Sequence, residues 1–227
     1  MSLPEASRWR PTAEDVAFCD VYGDWDPLTP VQLRELLAGF PEPWWLVGGH
    51  AIEAFTGVVR FHEDVDLVVF SDAVPALREH LGGRFHLWSN DGGTFRVIDD
   101  RHPEPLHPLS QIWMREDARS PWRVDCPLNP VRDGLWVSKR DDTHVAPLED
   151  VTWVADDGVR YLRPEIVLHF KGAHDRQKDR IDLRSTWPLL DDARRAWLAD
   201  AVRRTYPDHA WQRFLDGEED AVPWAVQ

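Results

Sequence analysis

Residues 46–70 read LVGGHAIEAFTGVVRFHEDVDLVVF. An apolar run ends in Gly48-Gly49, HAIEAF (50–55) has the pattern of a short helix, and Gly57 breaks it. The chain then turns apolar again at VDLVVF (65–70), whose β-branched and large side chains read as a strand. Positions two apart on a strand share a face, so Asp64 and Asp66 project together while Val65 and Leu67 face a core. Two carboxylates so placed repel each other unless a cation sits between them. Two readings stand side by side. One is an edge strand with a solvated acidic face, since acidic side chains mostly meet water. The other is a site for magnesium, a hard ion that takes oxygen ligands and keeps waters for a substrate phosphate. The Gly-Gly turn favours the second. A strand that ends in two glycines and opens a helix leaves backbone N–H groups free at a helix N-terminus, where phosphate binds well, and glycine lets that phosphate come close.

The flanking sequence supplies a framework. Upstream, Thr29-Pro30 before VQLRELLAGF reads as an N-cap, a first-turn proline and an amphipathic helix, with Pro41 and Pro43 as its stop. WWLVGG (44–49) reads as a buried strand that runs up to the glycines. Downstream, Ser71 or Asp72 caps a helix through VPALREHL that Gly82-Gly83 ends. Short strands follow at 84–89, 93–98, 111–116, 122–128 and 134–140, and Asp157-Gly158 marks a hairpin. Beyond Arg163-Pro164 the pattern turns helical. EIVLHFKGAHDRQKDRIDL reads as one long helix, followed by helices in DDARRAWLADAVRRTY and DHAWQRFL. The expectation is an α+β fold: an α/β part over 1–163, with residues 1–25 as an N-terminal extension, then a helical region over 164–227. A cleft between two such parts is a common home for a ligand.

Composition narrows the function classes. The chain has 227 residues, 43% hydrophobic and 29% charged, which is globular rather than disordered. Its apolar runs are far short of a membrane span and its start, MSLPEASRWR, lacks a signal-peptide core, so a cytoplasmic location and no membrane partner are expected. Cys19 and Cys126 make no disulfide framework and cannot fill a zinc site alone. A net charge of −14 without a Lys/Arg-rich run argues against nucleic acid and suits a cationic small molecule, although acidity also simply aids solubility. The 13 tryptophans are core candidates, with some free to stack on a ligand.

The stretch Gly48, Gly49, Ala51, Ile52, Glu53, Gly57, Arg60, His62, Asp64, Asp66 resembles the signature of the nucleotidyltransferase superfamily, whose fold is shared with DNA polymerase beta. More narrowly it is similar to the aminoglycoside 2″-adenylyltransferases and the lincosamide nucleotidyltransferases. It departs at His50, where such proteins often carry tryptophan. The signature covers about a tenth of the chain and its spacing is specific. WRVDCPL resembles the segment that brings such proteins their third carboxylate, which points to Asp125. A single Asp inside an apolar strand is costly to bury unless paired or ligating. Glu116, Asp117, Asp99 and Asp100 sit in polar, loop-like contexts. LHFKGAHDRQKDRID resembles the family helix that packs across the active cleft, with Lys171, Lys178 and Asp182 on one face.

The resemblance implies a mixed sheet with flanking helices and transfer of a nucleoside monophosphate from ATP to a hydroxyl. Two magnesium ions would be held by Asp64, Asp66 and Asp125, with Asp125 also the candidate base. Gly48, Gly49, His50, Arg60, His62, Lys171 and Lys178 form the expected nucleotide side. Within that set Lys171 is a point charge for the triphosphate or part of helix salt bridging. Arg60 is a phosphate contact or a brace for Glu63, and His62 faces the cleft or orients its loop. By resemblance the acceptor is a small, cationic, hydroxyl-bearing compound of the aminoglycoside type. A toxin- or antitoxin-type protein of the same fold acting on RNA or protein, and a non-catalytic binding module, are the alternatives.

Overall fold

The structure, a computed structural model, describes residues 13–218. Residues 1–12 of the expected extension and 219–227 of the helical region lie outside the described residues.

Helix α1 (Ala13–Tyr22) leads to α2 (Pro30–Leu36). Thr29 caps α2 through a capping box: its hydroxyl accepts from the Gln32 N–H at 3.2 Å, and Thr29 N–H donates to Gln32 Oε1 at 2.8 Å. α2 ends before Pro41, because the chain turns at Gly39 with φ +81°. Strand β1 (Trp44–Leu46), helix α3 (Gly48–Thr56) and strand β2 (Leu67–Val69) follow, with Gly57 as the left-handed cap of α3 at φ 70°. Next come α4 (Val74–Leu81), β3 (His86–Asp91), β4 (Thr94–Ile98), β5 (Gln111–Arg115) and β6 (Val124–Pro127). A small antiparallel sheet of β7 (Val131–Arg132), β8 (Leu135–Val137) and β9 (Val145–Ala146) precedes α5 (Leu148–Val151) and the hairpin of β10 (Thr152–Val154) with β11 (Arg160–Leu162).

One sheet runs β10-β11-β1-β2 and a second runs β4-β3-β5-β6. They join edge to edge: β6 continues alongside β2 in parallel through the bridges Asp66↔Asp125 and Phe70↔Asn129, with Asp125 N–H donating to Val65 O at 3.1 Å. This seam is what brings sequence-distant acidic residues side by side. Most buried apolar residues form one cluster running from Leu28 to Leu215, with Trp45, Val65, Leu67, Ile112 and Tyr161 among its most buried members.

Pro164 opens α6 (Pro164–Gly172), and here the sequence reading needs correction. The expected long helix is two helices, α6 and α7 (Gln177–Thr186). Asp175 takes a left-handed conformation at φ 46°, a region Asp tolerates better than most residues. Its carboxylate accepts from Arg180 and, at 2.7 Å, from Trp211 Nε1, so tertiary partners hold the break. α8 (Asp192–Thr205), capped by Asp191, and the short α9 (Gln212–Leu215) complete the described chain.

Candidate active site

The Gly-Gly turn lies against the second carboxylate of the D-x-D pair. Gly48 has φ +66°, and a Cβ there would overlap Asp66 Oδ2. A Cβ on Gly49 would overlap Arg60 Nη2 and, at 2.5 Å, His62 Nδ1. The two glycines therefore admit neighbouring side chains as well as any phosphate. Val47, the N-cap of α3, offers no side-chain cap, so the first N–H groups of that helix keep their donors. Val47 N–H donates to Asp66 O at 3.1 Å and fixes the turn to β2.

Asp64, Asp66 and Asp125 converge: one carboxylate oxygen from each lies within 4.8 Å of the others. Asp125 is 6% exposed and its Oδ1 has no hydrogen-bond partner, while Oδ2 accepts from Gln111 Nε2 at 3.2 Å. Burial, then the Asp64 charge, raises Asp66 to about 7. Burial, then Asp66 and Asp64, pushes Asp125 well above the usual carboxylate range. Three close carboxylates, one holding a buried orphan oxygen, are an oxygen-rich donor set of the kind a hard divalent cation satisfies. The residues fit magnesium.

The expected nucleotide-side residues do not share one environment. Gly48, Gly49 and His50 form the first turn of α3, and the His50 ring stacks on His62 at 3.8 Å. Burial, then the charges of His62 and Arg60, lowers His50 to about 3, so its ring is neutral. His62 Nε2 meets Glu53 Oε2 at 2.6 Å, which ties its loop to α3. Arg60 makes a two-pronged pair with Asp182 (both contacts 3.1 Å), so it braces Asp182 rather than Glu63. Lys171 is 7% exposed and pairs with Asp182 at 2.8 Å and Asp179 at 3.3 Å. Arg176 also grips Asp179, through Nε at 2.9 Å. Lys178 pairs with Glu63 at 3.1 Å near the surface. Its Nζ and that of Lys171 are close enough for their charges to act on Asp66.

One cation at the site escaped the sequence reading. Lys139, just past β8, makes no ion pair within 4 Å among the described residues, and its charge acts on both Asp125 and Asp66. Its side chain is exposed to solvent, and the protein packed around it lowers it to about 8. Its segment, GLWVSKR, shows only a strand ending in two basic residues, and no local signal separates Lys139 from Arg140.

No protein-family model matches the chain, and no curated protein does. Among solved structures, ANT(2″)-Ia in complex with adenylyl-2″-tobramycin matches at TM-score 0.51 and 16% identity, over 78% of this chain and 99% of that one. The chain has the nucleotidyltransferase fold. The solution structure of ANT(2″)-Ia matches at TM-score 0.49 and 16% identity over 78% of this chain and 89% of that one. JHP933 from Helicobacter pylori matches at 0.40 and 15% identity over 88% and 90%. Among the described residues no helix is long and apolar enough to cross a membrane.

Proposed function

We propose that the protein transfers a nucleoside monophosphate, from ATP as donor, to a hydroxyl of a small molecule. The observation that supports this most is the meeting of Asp64, Asp66 and Asp125 beside the uncapped start of α3, with a buried Asp125 oxygen left without a partner. These three carboxylates would hold magnesium, two ions by resemblance, which when bound offsets triphosphate charge and makes an acceptor hydroxyl more acidic.

The chain's own groups divide the remaining work. The N–H groups that begin α3 face anionic phosphate oxygens, aided by the positive end of the helix. Lys139 lies on the acidic side of the cleft with its charge uncommitted and adds a contact for the phosphates. Arg60, Lys171 and Arg176 carry three positive charges against the two of Asp179 and Asp182, so their network favours an anion nearby through its field rather than by contact. His50 and His62, stacked and neighbouring the glycines, border the nucleotide. The acceptor oxygen attacks the α-phosphorus and forms the new P–O bond. The bond to the β-phosphate oxygen breaks, pyrophosphate leaves, and the hydroxyl proton passes to Asp125. Positioning and charge neutralisation supply most of the rate. Tobramycin-type aminoglycosides, named for the neighbouring structure, are one acceptor class for this scheme.

The test is transfer of labelled AMP from ATP with magnesium to a panel of aminoglycosides and other small alcohols, comparing Asp125→Ala with Asp117→Ala. The expected result is transfer by the parent, a loss of at least about a thousandfold for Asp125→Ala, some 4 kcal/mol of barrier, and little change for Asp117→Ala. Equal losses in the two variants would remove Asp125 from the mechanism.

A further inference from the structure

The face of β3, β5 and β6 that carries Asp125 is aromatic, and its rings stand outside the main apolar cluster. Trp113 lies directly opposite Asp125 across the β5–β6 ladder, so the two side chains share that face. From Trp113 the rings continue without a gap: Trp25 at 4.8 Å, Phe95 at 5.0 Å, Trp122 at 5.3 Å and Phe18 at 5.9 Å. Trp113 is 8% exposed, and its indole Nε1 has no hydrogen-bond partner. Its indole N–H lies close enough to Asp125 to favour the charged carboxylate, short of full hydrogen-bond geometry. A buried donor short of a full hydrogen bond, beside the carboxylate that takes the proton, matches the needs of one hydroxyl, which can give a proton to Asp125 and accept from Trp113.

Away from Asp125, the charge set among these rings is a cation. Arg115 lies over the rings of Trp122 at 4.0 Å and Trp88 at 4.8 Å, and it has no ion pair within 4 Å among the described residues. The carboxylate of Asp26, near the same rings, is taken by Arg123. Phe18 comes from α1, none of whose residues from 16 to 22 is buried.

We propose that this aromatic wall is the acceptor subsite, and that it selects a neutral or acidic hydroxyl compound with a ring face beside the reacting hydroxyl, in preference to a polycationic sugar. The proposal rests on the nucleotidyl-transfer reading for its chemistry, but binding of the acceptor is measurable without it.

The experiment is calorimetry on the full chain with two neutral aryl glycosides, 4-nitrophenyl β-glucoside and β-galactoside, and with tobramycin. At least one glycoside is expected to bind at least tenfold more tightly than tobramycin. Phe18→Ala and Trp113→Leu are each expected to weaken it fivefold or more. Phe18 is 37% exposed, so its variant answers the question even where Trp113→Leu fails to fold. No glycoside binding, tobramycin binding as tightly, or glycoside binding unchanged in Phe18→Ala overturns the proposal. Magnesium-dependent ATP binding, titrated in parallel, separates the two claims. Its absence from the parent with glycoside binding intact sinks the transfer reading and keeps the wall. Its presence without glycoside binding does the reverse.

Discussion

Two groups of charge lie in space near the Gly-Gly turn, and they are built in opposite ways. Around α6 and α7, Lys171 is held by Asp179 and Asp182, and those two also hold Arg176 and Arg60. Every charge there has an opposite neighbour. At the seam of the two sheets, Asp64, Asp66 and Asp125 crowd together, and Asp125 keeps an unpaired oxygen. The first group closes its ion pairs within the chain. The second is complete only with a cation from outside the chain. Residues that a sequence motif places together can thus serve different ends, one bracing the helices over the site and the other holding its chemistry.

Stability measurements break or sharpen that contrast, because the two groups predict opposite signs. Asp179→Asn leaves Lys171 and Arg176 short of a buried partner and is expected to cost about 3–5 kcal/mol, read by urea denaturation. A loss under about 1 kcal/mol would show that the pairing around α6 and α7 does not hold the fold together.

Asp66→Asn is expected to stabilise the metal-free protein, by about 1.4 kcal/mol for each pK unit by which burial and Asp64 raise the native carboxyl. The pH dependence fixes the sign. The folded Asp66 keeps its proton up to about 7, whereas the unfolded side chain loses it near its ordinary value of 3.8. The folded state therefore binds the extra proton in between, and parent stability falls as pH rises through that window. The gain from Asp66→Asn is expected at pH 8 and not at pH 3. The same gain at both pH values would mean that charge repulsion is not its source.

The smallest effects concern the lysines. Lys139→Met, which removes an unpaired charge, is expected to weaken magnesium-ATP binding about tenfold, or 1.4 kcal/mol. Lys178→Met, which removes one half of a surface pair with Glu63, is expected to change it by less than about 1 kcal/mol, or fivefold. Calorimetry orders the two, and the reverse order would return the phosphate role to α7.

Much of this arrangement is legible in the sequence where the physics is local. The glycines, the strand alternation that aims Asp64 and Asp66 one way, and the lone Asp in WRVDCPL each carry their own signal, and the seam joins them. The break between α6 and α7 is not local. Gly172 ends α6 but does not take the left-handed turn; Asp175 does, where Arg180 and Trp211 reach its carboxylate. The seven-residue spacing of Lys171 and Lys178 therefore describes a helix that does not run through. Lys139 and the Trp113–Asp125 pairing depend on which strands become neighbours, and register across sequence-distant strands leaves no mark within either strand.

The central claim is that the seam of the two sheets is a divalent-cation site shared with a triphosphate. Manganese binding followed by electron paramagnetic resonance of the free ion, with and without ATP, tests it on the parent and on Asp66→Asn. The account predicts that the parent takes up manganese, that ATP tightens the uptake, and that Asp66→Asn loses both effects. Equal uptake by the two proteins, or none by the parent with ATP present, would contradict it.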